Sequence, residues 1–396
     1  GASQSGGNLR TFDAVRPDRV RAARRPSDPR TSTRRVCGVA GRTGGGNCDM
    51  TNNEAKKTVN LEERFFNGRA RLCFGDASHA YAKWEAPTVI IADGPYGLGS
   101  FPGDPFSTDE LAEWYEPHAK AWYDFALPCA TLWFWNSERG WATCHNMLET
   151  CGWEFRNCHI WDKGMAHVAG NCNTKTIRKY PVVTEVCVQY TRKNRLKSNG
   201  ALLPLKEWLR SEWVRSGLPL SMTNQACGVK NAATRKYFTS DHLWYFPPPD
   251  AFARLVVFAN THGDPRGRPY FSSDGKAPLT AKQWSGMRAK FTCEVGVSNV
   301  WRESAVRGQE RLKGEKGCTH MNQKPLVLLE RIIQASSDKR DVVWEPFGGL
   351  CSATVAAGRL MRRACAAEIN PVFYKAAVER LRNEEDESRL LENAFG

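Results

Sequence analysis

The 396-residue sequence contains no CxxC pair, no GxGxxG turn and no internal repeat. No apolar run approaches the ~18–20 residues that cross a bilayer, which excludes a membrane-spanning helix. Residues 1–49 hold no apolar core segment, so a secretory leader is not expected. Fourteen cysteines in a chain of this length fall short of a disulfide scaffold. Without close ligand pairs a zinc ribbon is excluded too. The densest group, Cys144, His145, Cys151, Cys158, His159 and Cys172, reads as reduced thiols packed as small hydrophobes, and no metal is expected.

What is present is the balance of a protein with a sizeable core, 41% hydrophobic and 25% charged residues. The length suits roughly two to three domains, or one large domain with insertions. The formal net charge of +14 is unevenly placed. Residues 1–49 carry ten Arg against four Asp among Gly, Ser and Pro. They read as a disordered basic tail, with Met50 the expected natural start. Residues 197–300 carry fourteen Lys and Arg against seven Asp and Glu, a net of +7. Such a segment is either a polyanion-binding surface or a merely solvated face.

Short apolar, β-branched runs predict a buried strand of a parallel sheet at Thr88–Ala92, a second buried strand at Ala130–Trp135, a third strand at Phe155–Trp161 and a further β-rich run at Val182–Tyr190. Helices are expected at Glu110–Leu127 and His145–Cys151. From about 197 to 300 the regularity breaks down, as in an inserted recognition or lid domain. Alternation returns with helix Leu326–Ala335, strand Val342–Glu345, helix Ala353–Arg362, strand Ala364–Glu368 and helix Tyr374–Arg382. This pattern predicts an α/β fold, a Rossmann-like doubly wound sheet built from segments 50–196 and 301–396 around the insertion 197–300.

Strand Val342–Glu345 runs into Pro346-Phe347-Gly348-Gly349-Leu350, a glycine turn that opens a helix. Helix N-terminal amides and a glycine backbone suit close approach of a polar or anionic ligand. The next strand ends in Glu368, where an acid can hydrogen-bond ribose hydroxyls. A tight turn and a surface carboxylate form the plainer alternative. Glu345-Pro346-Phe347-Gly348-Gly349 resembles the Asp/Glu-Pro-Phe-x-Gly-x-Gly motif of S-adenosylmethionine-dependent amino methyltransferases that act on DNA. His320-Met321-Asn322-Gln323-Lys324-Pro325-Leu326 resembles that family's H-x-x-Q-K-P-L segment, and Asp93-Gly94-Pro95-Tyr96 its D-P-P-Y catalytic tetrapeptide. The order of catalytic motif, insertion and cofactor motif is that of the permuted beta class, and the likeness covers roughly residues 70–192 and 318–382. Two departures stand out. Gly94 replaces the tetrapeptide's first proline, and Cys351 occupies the place of a further glycine in the cofactor loop.

The resemblance implies a class I methyltransferase fold with an inserted target-recognition domain. It implies a site-specific, restriction–modification-type enzyme that moves a methyl group from S-adenosylmethionine to the exocyclic amine of a flipped base. Double-stranded DNA and a cognate restriction endonuclease are the implied partners, and a bacterial or phage-type cytoplasm the implied location. An initial Asp favours adenine N6 over cytosine N4. A catalytically inert DNA-binding protein of the same fold, and less readily an RNA methyltransferase, are the alternatives.

An exocyclic amine is a poor nucleophile, and acceptors that hold it in line activate it. Asp93 and the Gly94 carbonyl are assigned that task, Pro95 stiffening the turn and Tyr96 stacking on the base. The resemblance further places Phe347 and Asp76 near the cofactor's adenine, Gly349 at a close backbone approach and Glu368 at the ribose. Glu345 joins them in the cofactor loop, and His320 and Lys324 lie near the methionine end. Helix capping is the alternative for Asp76, and positioning of the following helix for His320 and Lys324. In the insertion, Asn224–Val229 and Ala232–Tyr237 resemble a helix-turn-helix, or an ordinary helical hairpin. Asn231, Arg235 and Lys236 are its DNA-facing candidates, with Asn224 and Gln225 also able to read base edges. His242–Phe246 is expected to pack in the core more than to stack on bases.

Overall fold

The computed structural model of the chain describes residues 61–99, 104–165, 178–265, 267–307, 311, 313–314, 317–318 and 323–395. The basic tail, His320 and Cys172 lie outside them. The elements are β1 (Glu62–Phe65), β2 (Ala70–Phe74), β3 (Val89–Ala92), α1 (Leu111–Phe125), β4 (Thr131–Asn136), α2 (Glu138–Thr150), β5 (Trp153–Asp162) and β6 (Thr184–Arg192). There follow β7 (Arg195–Ser198), β8 (Ala201–Pro204), α3 (Leu205–Arg215), α4 (Met222–Ala226), α5 (Ala232–Tyr237), α6 (Pro249–His262) and α7 (Ala281–Ser285). After β9 (Val300–Arg302) and the short pair β10 (Lys313–Gly314) and β11 (Gly317–Cys318) come α8 (Leu326–Ser336), β12 (Val342–Glu345), α9 (Ser352–Arg359), β13 (Arg363–Glu368) and α10 (Pro371–Phe395).

Nine strands form one sheet in the order β1-β2-β13-β12-β3-β4-β6-β5-β9. From β2 to β4 all pairings are parallel, whereas β6 runs antiparallel to both β4 and β5. Successive strand side chains point to opposite faces, so strands buried at every position need cover on both. Val89, Ile91, Trp133, Trp135 and Val343 pack with α8, α9 and α10 on one face. Ile90, Ala92, Leu132, Phe134 and Trp344 pack with α1 and α2 on the other. The doubly wound expectation holds.

This topology places the site. From β3 the chain crosses through α1 to β4 on one side, and from β12 through α9 to β13 on the other. Adjacent strands whose crossovers depart in opposite directions leave a crevice at their carboxyl ends. Val343 pairs with Val89 and Trp344 with Ile90. The chain leaving β3 at Asp93 therefore lies beside the chain leaving β12 at Pro346.

Three expectations need revision. Helix α2 begins at Glu138, well before His145, with the Ser137 hydroxyl accepting from the Gly140 amide at 3.1 Å. Glycine inside its first turn hides that start, yet a Cβ at Gly140 would meet Asn136 Oδ1 at 1.9 Å. The hairpin β1–β2 has no apolar run to announce it, and joins the sheet through five parallel pairs with β13. Residues 205–285 are more regular than the sequence implied, with five helices around a cluster that includes Trp208, Trp213, Phe252, Phe271 and Trp284. Glu212, fully buried there, pairs with Arg215 at 2.8 Å and Arg268 at 2.5 Å and accepts from the Phe271 amide at 2.9 Å. A buried carboxylate needs such compensation.

Candidate active site

A cavity of about 380 Å³ opens where β3 and β12 end, lined by Asp76, Asp93, Tyr96, Lys324, Phe347 and Glu368 among others. These six sequence candidates are brought together, and Gly94, Pro95, Glu345 and Gly349 also line it.

At the end of β3, Asp93 Oδ1 receives Lys324 Nζ at 2.8 Å and the Tyr96 hydroxyl at 3.1 Å. Glu185, at the start of β6, receives the same Tyr96 hydroxyl at 3.0 Å and lies 3.4 Å from Lys324 Nζ. Its other oxygen pairs with Lys163 Nζ at 2.5 Å. Burial pushes the Asp93 carboxyl above the usual carboxylate range, against the pull of Lys324. Glu185 is held below that range, because Lys324, Lys163 and its hydrogen bonds outweigh burial. Sequence reasoning missed Glu185 and Lys163 and placed Lys324 near the cofactor's methionine end. The structure seats Lys324 against Asp93.

The loop is braced from behind. The Pro95 carbonyl accepts from the Tyr115 hydroxyl at 3.1 Å and from Asn136 Nδ2 at 3.0 Å. Asp104 clasps the following turn through the Gly97 amide at 3.0 Å and the Leu98 amide at 3.3 Å. The Gly94 departure has a local reason. A Cβ there would lie 2.6 Å from Phe347 Cδ2 and 2.6 Å from the Tyr115 hydroxyl.

At the end of β12, Glu345 Oε1 accepts from the Ala353 amide at 2.9 Å, and Oε2 from the Thr354 amide and hydroxyl, both at 2.7 Å. Its carboxylate caps α9 and so fixes the glycine turn from below. Burial pushes its carboxyl up to about 7, against those three donors. A proton held more tightly folded than unfolded stabilises at low pH, and that contribution disappears as pH rises through about 7. Stability relative to Glu345→Gln is expected to fall between pH 5 and 8 by on the order of 3 kcal/mol. Urea denaturation at several pH values checks this, and parallel curves would oppose it. Cys351, replacing the family's glycine, has φ +55°, the left-handed region that glycine enters without strain. Glu368 accepts from the Gly349 amide at 2.6 Å and the Asn370 amide at 2.7 Å, and each oxygen retains a second lone pair.

The far wall is aromatic. The Phe347 ring lies 5.4 Å from Trp114 and 5.3 Å from His118, both on α1 and both lining the cavity. Trp122 Nε1 donates to the Tyr81 hydroxyl at 2.9 Å, whose own proton is left for His118 Nδ1 at 2.9 Å. A buried hydroxyl proton without a partner would cost about 1–3 kcal/mol, so His118 carries its proton on Nε2. Burial favours this neutral form. Asp76 caps a short turn through the Ser78 amide at 2.8 Å, as the alternative reading had it, and also lines the cavity. Trp114 and His118 carry no motif, and only helical spacing from Tyr115 and Trp122 could have suggested them.

In the insertion, α4 and α5 flank Gly228, and Asn231, Arg235 and Lys236 are exposed. Asn224 is spent internally: its Oδ1 accepts from the Thr234 amide at 3.1 Å. Of the aromatic stretch, Phe246 stacks on Trp284 at 4.4 Å, while Leu243 and Tyr245 are exposed. Among the described residues no group of three His, Cys, Asp or Glu side chains is placed to hold a metal ion.

An open, doubly wound sheet with a glycine turn, an acid ending the next strand and an aromatic-walled cavity at its switch point defines a nucleotide-cofactor-binding α/β protein. A family model described as DNA methylase, of the N6/N4 methyltransferases, matches residues 88–379. The chain belongs to that family. It is 38% identical over 85 residues to the type II methyltransferase M.HinfI of Haemophilus influenzae, covering 21% of this chain and 24% of that one. With the type II methyltransferase M2.DpnII of Streptococcus pneumoniae it is 36% identical over 90 residues, covering 23% and 32%. The chain thus spans about a quarter to a third of the length of these curated relatives. The crystal structure of the M1.HpyAVI–SAM complex aligns with TM-score 0.44 at 14% identity, covering 79% of this chain and 98% of that one. The cytosine-N4-specific PvuII DNA methyltransferase aligns with TM-score 0.46 at 11% identity, covering 80% and 91%.

Proposed function

We propose that the protein is a site-specific DNA methyltransferase that transfers a methyl group from S-adenosylmethionine to the exocyclic amine of a flipped base, adenine N6 in preference to cytosine N4. The observation that carries this reading is the meeting of the Asp93 loop and the Phe347–Glu368 turn in one cavity. Bound there, the cofactor supplies a sulfonium methyl, which leaves with the C–S bond pair retained by sulfur. The chain's residues do the rest. The Asp93 carboxylate and the Gly94 carbonyl accept the amine's hydrogens, aim its lone pair and leave a proton on Asp93. Tyr96 packs beside the base, and the Pro95 brace keeps the loop from yielding.

The cavity suits the cofactor chemically. Phe347, Trp114 and His118 offer flat faces to a purine, with Asp76 at the same end. Glu368 offers lone pairs to a ribose, and the positive φ of Gly349 brings backbone close. Glu368→Ala is expected to weaken S-adenosylmethionine binding roughly 10- to 150-fold, the equivalent of about 1.5–3 kcal/mol. Calorimetric titration reads this directly, and an unchanged dissociation constant would remove Glu368 from the site.

The two flanking segments serve cofactor and amine, so we assign sequence choice to residues 197–300, with their net +7. Exposed Asn231, Arg235 and Lys236 on and beside α5 are the reader's side chains, and double-stranded DNA is the partner. Arg235→Ala is expected to relax selectivity at one base pair, at a cost of ~1–3 kcal/mol if its contact is bidentate. Methylation of a single-substitution site library measures this, and an unaltered motif would move the reader elsewhere. The whole reading is tested by sequencing modified bases in DNA from cells that express the protein. N6-methyladenine in a fixed context supports it, N4-methylcytosine shifts the acceptor, and DNA bound but unmodified would mean an inert binder.

A further inference from the structure

Asp93 does not stand alone. The geometry points to Glu185 and Lys163 as positioning residues that set the orientation and basicity of Asp93, an inference that rests on the proposed amine methylation. Four charged groups alternate in a row: Asp93, Lys324, Glu185, Lys163. Lys324 is almost wholly buried, with 3% of its side chain exposed, so its charge acts through a low dielectric. Among the described residues, every hydrogen bond to the Asp93 carboxylate arrives at Oδ1. The Tyr96 hydroxyl has one proton and lies 3.1 Å from Asp93 and 3.0 Å from Glu185, so it satisfies one carboxylate at a time. Lys324 has three protons and reaches both.

Lys324 is therefore divided between two acids, and Lys163 decides how evenly. With Lys163 paired to Glu185, more of the Lys324 charge serves Asp93. Glu185 in turn keeps Lys324 from stabilising the Asp93 anion so strongly that it becomes a feeble base. Asp93 also faces Tyr115 from α1, Cys187 from β6 and Tyr96 from its own loop; burial drives all three to their protonated forms. Asp104 stands farther along the loop, bound to the Gly97 and Leu98 amides. Glu185 and Lys163 are thus the charges that tune Asp93 through Lys324.

The test is the pH profile of kcat for methyl transfer to duplex DNA by the full chain and three variants. Glu185→Gln frees Lys324 for Asp93, so the acid limb is expected about one pH unit lower, with a reduced plateau. Lys163→Met leaves Glu185 drawing harder on Lys324, and the limb is expected to move to higher pH. Glu185→Asp keeps the charge and is expected to return the limb toward its wild-type position. Titration of the Asp93 carboxyl by carbon-13 NMR reads the same three shifts without turnover. Opposite shifts for Glu185→Gln and Lys163→Met support the inference. Limbs and Asp93 midpoints that stay in place, or move together, overturn it, including when kcat falls through misfolding alone. Should the wild type modify no DNA, the methylation reading fails, while the NMR titration still decides the coupling.

Discussion

Asp93→Ala is expected to lower turnover roughly 10²–10³-fold while S-adenosylmethionine and DNA still bind. The carboxylate sits at the end of β3 on the cavity wall, so its interaction with the amine strengthens only as the nitrogen acquires charge. Loss of such a contact appears in kcat more than in affinity. The fold should tolerate the change. Lys324, deprived of Asp93, keeps Glu185 at 3.4 Å, so no buried ammonium is orphaned. Single-turnover methyl transfer measured beside calorimetric binding checks both halves. Retention of more than about a tenth of wild-type turnover would take Asp93 out of the reaction.

Gly94→Ala is expected to damage the cofactor seat, although residue 94 lies on the catalytic loop. The new methyl would fall 2.6 Å from Phe347 Cδ2 and from the Tyr115 hydroxyl. Tyr115 is held in place, and Phe347 borders the cavity. The Tyr115 hydroxyl is tied to the Pro95 carbonyl at 3.1 Å, and its ring packs 4.9 Å from Phe134. Phe347 is wedged among Trp114, His118 and Trp122. Overpacking of this kind costs typically about 1–3 kcal/mol, with the strain directed into Phe347. S-adenosylmethionine affinity should fall by an order of magnitude or more, and Gly94→Pro, which restores the family's residue, should do no better. Tyr115→Phe combined with Gly94→Ala should recover part of the loss. Wild-type affinity and melting temperature in the single variant would show that the Phe347 seat yields freely.

Much of this arrangement could be read along the chain because it is local. A short apolar, β-branched run such as Val89–Ala92 reads as an interior strand, and a glycine turn before α9 suits a close approach. The departures at Gly94 and Cys351 were visible as letters, but their causes were not. The first lies in the Phe347 and Tyr115 rings; Cys351 keeps a left-handed φ that favours glycine, and its replacement has no structural explanation. Glu185 and Lys163 were invisible for a different reason. They flank the residues joining β5 to β6, and only the antiparallel course of β6 beside β4 carries Glu185 back to the carboxyl end of β3. Trp114 and His118 were readable as one face of a helix, but nothing local says that the face looks onto a cavity. The helices of the insertion were obscured by Gly and Pro between short elements, while a buried Glu212 with two arginines organises them from within.

The neighbouring course of β3 and β12 also bears on how the protein is born. Trp344 Nε1 donates to the Glu85 carbonyl across 259 positions of sequence. The strand carrying Asp93 leaves the ribosome well before Glu345, Phe347 and Glu368 do. Until that later stretch is made, β3 lacks its neighbour β12, and the cavity has only one wall. Long-range strand pairing of this kind is slow and exposes apolar edges while it waits. A nascent chain therefore holds only one wall of the cavity until β12 and β13 dock.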